Sequence, residues 1–484
     1  MQVVKAKCRL FWHYYFPRDV IQKLEQIRDD IAAGQNKIQT GKAENTKELS
    51  QYLQELRQKR NELQDKFLPV GYGFNLNKFQ ETLDERTAII QWYITDTNIE
   101  VFIIACDNQQ WVKVSNRSNS LYVLIDWFNN YMYAYIYSKA EWINSLFSCL
   151  KNLTEILQIE DILKLIPEKC TRLILIPHRY LHLLPLHALP LSNGELLYER
   201  FPDGVSYAPS LQILQQIQMR KRPDFQNLFA IQNPTGDLNY ADLEVQVIQS
   251  YFNTANVLKK SAATLTAVNN SDLTTYHCVH FGCHGDFNLA NPGKSALILA
   301  NTSIVDTPTK AHSERYLNLR EVKTHDLEQC LTLDKIFSLK LEKCRLVTLS
   351  ACETGLIDFT NTSDEYIGLP SGFLLAGSQA VVSSLWTVED LSTSFLIMKF
   401  YENLQTQTSI TLALNQAQQW LRNLTTEEFE VLLIKYRPQI EEIFAQLPEA
   451  KRPVERAILR RTSKRKPHPF AAPFYWAGFI ATGI

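Results

Sequence analysis

Two short apolar runs, each closed by a chemically reactive side chain, constrain this chain more than anything else in it. Residues 345–349 read RLVTL, are bounded by Lys343 and by Ser350 and Ala351, and are followed by Cys352. Residues 278–282 read CVHFG and are followed by His284 and Gly285. Runs of this length, β-branched and without polar alternation, suit strands buried on both faces of a parallel sheet. In such sheets the carboxyl edge carries ligands and chemistry, because the loops there vary while the strands hold them rigidly. If the two strands are neighbours, a thiol and an imidazole share one crevice.

That pair has a defined chemistry. A thiol is a poor nucleophile at its ordinary pKa, and an adjacent imidazole can take its proton to leave a thiolate. Gly285 lacks a Cβ, so its N–H can approach a developing oxyanion, and the Cys352 N–H supplies a second donor. Gly355 lets the chain turn away after the nucleophile. The plainer reading is a buried, inert thiol, with His280 a satisfied core histidine.

Five stretches resemble the CHAT family (caspase-HetF-associated, TPR-linked), caspase- and separase-like cysteine peptidases, here of cyanobacterial type. They are RLILIPHRYLHLLPLHAL (172–189), VHFGCHGDFN (279–288), VTLSACETG (347–355), YIGLPSGFLLAGSQAVVSSLWTVED (366–390) and HPFAAPFYWAGFIATG (468–483). A histidine preceding the cysteine is also the order of the caspases. The resemblance implies that Cys352 is the nucleophile, His284 the general base, and Gly285 and Cys352 the oxyanion donors. His182, His187 and His280 have no catalytic counterpart in it. It further implies an S1 pocket formed by Trp386, Glu389 and Asp390, since SLWTVED resembles the LWDVTD stretch with which separases cut after arginine. Asp390 matches the last acid there, and Thr387 replaces the first. Glu389 and Asp390 equally suit the cap of a helix starting near Leu391.

The expected architecture is α/β: a caspase-like three-layer α/β/α sandwich with a mostly parallel sheet, preceded by an inactive caspase-like half and an N-terminal helical hairpin. Three regions follow. Residues 1–84 hold the hairpin, a Gln-, Glu- and Lys-rich stretch with Leu24, Ile27, Ile31 and then Leu49, Leu53, Leu56 and Leu63 at helical spacing, broken at Gly34 and Gly41. No 34-residue self-similarity appears, so complete tetratricopeptide repeats are not expected. Residues 85–224 open with the alternating runs AIIQWYIT, IEVFIIAC and QWVKV, an antiparallel meander, and resemble the inactive half. Residues 225–484 form the active half, with strands at 228–232, 256–259, 279–282, 346–349, 380–385 and 474–480 and intervening helices.

The chain has 484 residues, too many for one core, and a net charge of -1 that gives no global pull toward nucleic acid or membrane. The tract 451–466 carries eight Lys or Arg but no interleaved aromatics, which fits a solvated loop better than a nucleic-acid site. Nine scattered cysteines without a CxxC pair point to a reducing compartment rather than to a disulfide framework or a zinc ribbon. No run approaches the roughly 18 apolar residues of a membrane span, and no apolar core follows the charged first ten residues, so a cytoplasmic location without a membrane is expected. GKS at 293–295 lacks the glycine of a phosphate loop, and no G-x-S-x-G elbow is present. No metal or cofactor is called for. Two functions remain: a cysteine endopeptidase cleaving a protein partner in a regulatory pathway, with a regulatory protein bound through the N-terminal helices, or a catalytically silent interaction module on the same fold. Segment 301–329, polar and holding Pro308, is expected to be a mobile gating loop like those of caspase relatives.

Overall fold

The computed structural model describes residues 18–39, 45–65, 74, 76–95, 98–106, 108–113, 120–288, 291–304, 315–319, 323–356, 367–407, 409–465 and 467–483. They fall into two compact units, one up to Phe79 and one from Gln80 onward.

The first unit is the expected hairpin. Helices α1 (Arg18–Gln39) and α2 (Thr46–Asp65) pair through Ile27, Ile31, Leu49, Leu53 and Leu56. Gly34 does not break α1 as the sequence suggested. A Cβ there would meet the Leu53 Cδ2 at 2.6 Å, so the glycine serves the close approach of the helices. Gly41 lies outside the described residues.

The second unit is built on one eleven-stranded sheet. Its strands are β1 (Thr87–Ile94), β2 (Ile99–Ala105), β3 (Asn108–Lys113), β4 (Arg172–Ile176), β5 (Val205–Tyr207), β6 (Asn227–Gln232), β7 (Thr254–Lys259), β8 (Cys278–Gly282) and, after six short strands that lie outside it, β15 (Leu346–Ser350), β16 (Ala380–Ser384) and β17 (Phe479–Gly483). The order is β3-β2-β1-β4-β5-β17-β16-β15-β8-β6-β7. The β1–β3 meander is antiparallel, as is β16 with β17, and the other neighbours run parallel. One sheet therefore runs through both sequence halves, joined where the C-terminal strand β17 lies between β5 and β16.

Alternation along the strands separates two cores. Leu228, Ala230, Cys278, Leu346, Ala380 and Val382 face one way, and Phe229, Ile231, Val279, Phe281, Val347, Leu349 and Val381 the other. On the first face pack α3 (Ser120–Tyr137), α4 (Lys139–Ile156), α5 (Asn239–Ile248), α7 (Asp390–Leu404) and α8 (Ile410–Asn423); on the second lies α6 (Leu369–Leu375). This is the three-layer α/β/α arrangement with a mostly parallel sheet.

Two local expectations change. The last strand starts at Phe479 rather than 474, because Pro473 opens a helical turn, Pro473–Trp476, before it. The basic tract is not a loop: α11 (Arg452–Thr462) follows α9 (Thr426–Lys435) and α10 (Arg437–Gln446). Arg456 grips Glu441 through both guanidinium nitrogens, and Arg452 donates to the carbonyls of Ala445 and Leu447 at the end of α10. Of the segment expected to gate the site, 305–314 and 320–322, and with them Pro308, lie outside the described residues. The described part pairs as β11 (Ser303–Ile304), β12 (Tyr316–Leu319) and β13 (Lys323–Asp326), clasped by Arg315 on Asp326 at 2.9 and 2.6 Å.

Candidate active site

Register brings the two reactive ends together. Ser350 of β15 pairs with Gly282 of β8, and Gln232 of β6 pairs with the same Gly282. Cys352 and His284 thus stand two residues beyond aligned positions on adjacent parallel strands. After β8 the chain re-enters a sheet as β9 (His284–Asp286), paired with β10 (Ala296–Ile298), so His284 sits in a strand opposite Ile298 rather than in a free loop.

Gly285 is the point of closest approach. A Cβ there would lie 2.7 Å from the Cys352 carbonyl oxygen and 2.7 Å from the Thr354 Cγ2. Only glycine lets the histidine strand rest on the cysteine turn. That turn is pinned to the end of β16: Gly355 N–H donates to Ser384 O, the Ser384 N–H donates to Thr354 Oγ1, and the Ser384 hydroxyl donates to Ala351 O. Cys352 is half-buried, with Sγ 3.9 Å from Val388 O.

His284 Nε2 lies 2.8 Å from Asp237 Oδ1. Asp237 follows β6, the third strand of the same edge, and also accepts from the Thr235 hydroxyl. Asp237 is not among the residues the sequence singled out. The available signal was positional, an acid five residues past a strand that ends level with β8 and β15. A carboxylate on one ring nitrogen fixes the tautomer and leaves Nδ1 as the acceptor.

The three residues expected to form S1 separate. Trp386 does not line a pocket with its side chain. It is 1% exposed, donates to Phe474 O at 3.1 Å, and packs so tightly on Gly478 that a Cβ there would meet the ring at 2.8 Å. Asp390 is a cap, but of a different helix from the one it opens: its Oδ2 accepts the Tyr240 N–H at 2.9 Å, at the start of α5. Burial pushes its carboxyl up to about 7, against that N–H and helped by Glu244 and Glu455. Glu389 keeps an open valence. Burial raises its carboxyl against hydrogen bonds with Ser392 and the charge of Arg465, and its Oε2 is buried without a hydrogen-bond partner among the described residues.

Behind the site, His280 and Glu244 form a fully buried pair with Nε2 to Oε1 at 2.9 Å. Glu244 also accepts from Ser350 Oγ at 3.0 Å, and burial raises its carboxyl. Tyr401 Oη joins His280 Nδ1 at 3.4 Å and Thr348 Oγ1 at 2.9 Å. This network ties α5 and α7 to the strands that end in the reactive pair. His182 and His187 are buried, and burial pushes both down to about 3, so they stay neutral. Among the described residues no group of three or more His, Cys, Asp or Glu is placed to hold a metal, and no helix is long and apolar enough to cross a membrane.

A parallel α/β sheet carrying a cysteine turn and a histidine strand on one edge is the architecture of caspase-like proteins. A family model for the CHAT domain matches residues 148–484, and the chain belongs to that family. Tetratricopeptide repeat protein 28 of Homo sapiens is 28% identical over 283 residues, which cover 51% of this chain and 11% of that protein. The chain thus spans about a tenth of the relative's length. Two solved structures are similar: the Saccharomyces cerevisiae separase–securin complex, with TM-score 0.42, 11% identity and coverage of 71% of this chain and 30% of that one, and the complex of Porphyromonas gingivalis RgpB pro- and mature domains, with TM-score 0.36, 9% identity and coverage of 70% and 68%.

Proposed function

We propose that the chain is a cysteine endopeptidase that cleaves a protein partner in a regulatory pathway. The observation that carries the reading is the Asp237–His284 contact on the strand that rests against the Cys352 turn. Nδ1 of His284 takes the thiol proton while Asp237 balances the imidazolium. The thiolate attacks the scissile carbonyl, and the N–H groups of Cys352 and Gly285 receive the oxyanion. Collapse of this adduct expels the amine, which leaves with the proton from His284. Water, deprotonated by the same imidazole, then hydrolyses the thioester and restores the thiol.

For S1 the reading moves to Glu389. It adjoins Val388, whose carbonyl the thiol touches, and its unpartnered oxygen suits an arriving guanidinium, which would satisfy it. The N-terminal hairpin, a compact unit of its own, is assigned to binding a regulatory protein.

The test is incubation with a diverse peptide library beside Cys352→Ala. Wild-type protein should cut after basic residues and Cys352→Ala should cut nothing. Glu389→Gln should lower kcat/KM for Arg at P1 at least tenfold relative to an uncharged residue. Cleavage that persists in Cys352→Ala, or a wild-type chain that neither cuts nor is modified by peptide electrophiles, overturns the reading in favour of a silent module.

A further inference from the structure

The residue after the nucleophile is in an unusual state. Glu353 has φ +57°, in the left-handed region, which costs a residue with a Cβ about 1–2 kcal/mol. Glutamate, unlike asparagine or aspartate, gains no local side-chain hydrogen bond there. Something else must hold it. Its N–H donates to Trp386 O at 3.2 Å, and its carboxylate is gripped from outside the catalytic strands.

The grip comes from Tyr135 on α3, 218 residues away in sequence. The Tyr135 hydroxyl donates to Glu353 Oε1 and accepts the Thr387 N–H at 3.0 Å. Thr387 Oγ1 closes the triangle, donating to the same carboxylate oxygen at 3.2 Å. Burial holds the Tyr135 phenol well above its usual range, so it remains a donor. The ring itself is fixed, with Lys139 Nζ 3.6 Å from its centroid and Trp142 packed edge-on at 5.0 Å. Trp142 in turn meets Trp386 edge-on at 5.4 Å. A helix that supplies no catalytic group therefore reaches two loops of the site, the Cys352 turn and the segment leading to Glu389.

We propose that Tyr135 is a positioning residue, a clamp that holds Glu353 in its left-handed conformation and so sets the direction of the Cys352 thiol and N–H. The site is then complete only while α3 holds Glu353 through Tyr135. This rests on the reading of Cys352 as nucleophile, so the experiment has a readout that does not depend on catalysis.

In the full chain, Tyr135→Phe keeps the ring and removes the hydroxyl. Amide exchange at Glu353, Gly355 and Thr387 should accelerate at least tenfold, with the alkylation rate of Cys352 and kcat falling tenfold or more and KM staying within twofold. Glu353→Gln, which retains the accepting oxygen, should stay near wild type. Glu353→Ala should match Tyr135→Phe, and the double variant should be no worse than either. Unchanged exchange and alkylation in Tyr135→Phe, or effects that multiply in the double variant, overturn the clamp. A wild-type chain without cleavage sinks the peptidase reading alone, because amide exchange still decides the clamp.

Discussion

Asp237→Asn isolates the charge behind His284. Asparagine keeps an oxygen that can accept the Nε2–H, so the tautomer can persist while the carboxylate is lost. Opposite charges centred about 4 Å apart attract by about 4 kcal/mol at an effective dielectric of ~20. Asp237 is 33% and His284 15% exposed, and solvent screening at that exposure reduces the figure to about 2–3 kcal/mol. The charge pair forms when the imidazole takes the thiol proton, so the loss falls on the transition state. At 1.36 kcal/mol per decade, kcat/KM should drop about 30- to 150-fold. The assay is peptide cleavage alongside thermal unfolding, since Asp237 precedes α5 and its loss must not unfold the helix. Cleavage within twofold of wild type in a protein of unchanged Tm would refute the charge-balancing role of Asp237.

Other substitutions test other joints. Gly285→Ala places a methyl against both the Cys352 carbonyl and Thr354, and should cut kcat by at least about tenfold through displaced oxyanion donors; wild-type kcat would remove Gly285 from the site. Asp390 holds its proton up to about pH 7 when folded, against an ordinary 3.8. Between those values the unfolded chain loses the proton first, so stability falls as pH rises from about 4 to 7, by at most about 4 kcal/mol. Asp390→Asn should therefore raise Tm by a few degrees at pH 8 and leave it unchanged at pH 4; an equal drop at both would contradict the assignment. His280→Ala strands buried Glu244 and should cost about 3–5 kcal/mol in denaturant unfolding, yet the folded fraction should still alkylate at Cys352.

What the sequence made legible was local. Buried strands show as apolar runs, and Cys352 and His284 follow directly from where 346–349 and 279–282 end. Gly285 was readable because only a missing Cβ allows that approach. Asp237 was hidden because NPTGDLN reads as an ordinary turn, and nothing in it reports that β6 ends beside β8. Tyr135 lies 218 residues from its partner and looks like one more aromatic on an apolar helix. The reading of Asp390 as a cap on its own helix failed for a tertiary reason: α5 brings its open N–H groups closer. The basic tract looked like a loop because charge pattern alone does not reveal that Pro453 starts a helix or that Glu441 stands opposite Arg456.

The proposed mechanism makes Cys352 a nucleophile activated by His284. Burial pushes the thiols of Cys330 and Cys344 up to about 12 and those of Cys278 and Cys283 higher, so these four are poor competitors for an electrophile at neutral pH. Alkylation by iodoacetamide at pH 7, mapped by mass spectrometry in wild type and His284→Ala, measures the claim directly. Cys352 should react at least tenfold faster than any other cysteine of the folded chain, and His284→Ala should remove this advantage. A Cys352 rate that is no greater than that of Cys106 or Cys149, or one that His284→Ala leaves unchanged, would contradict it.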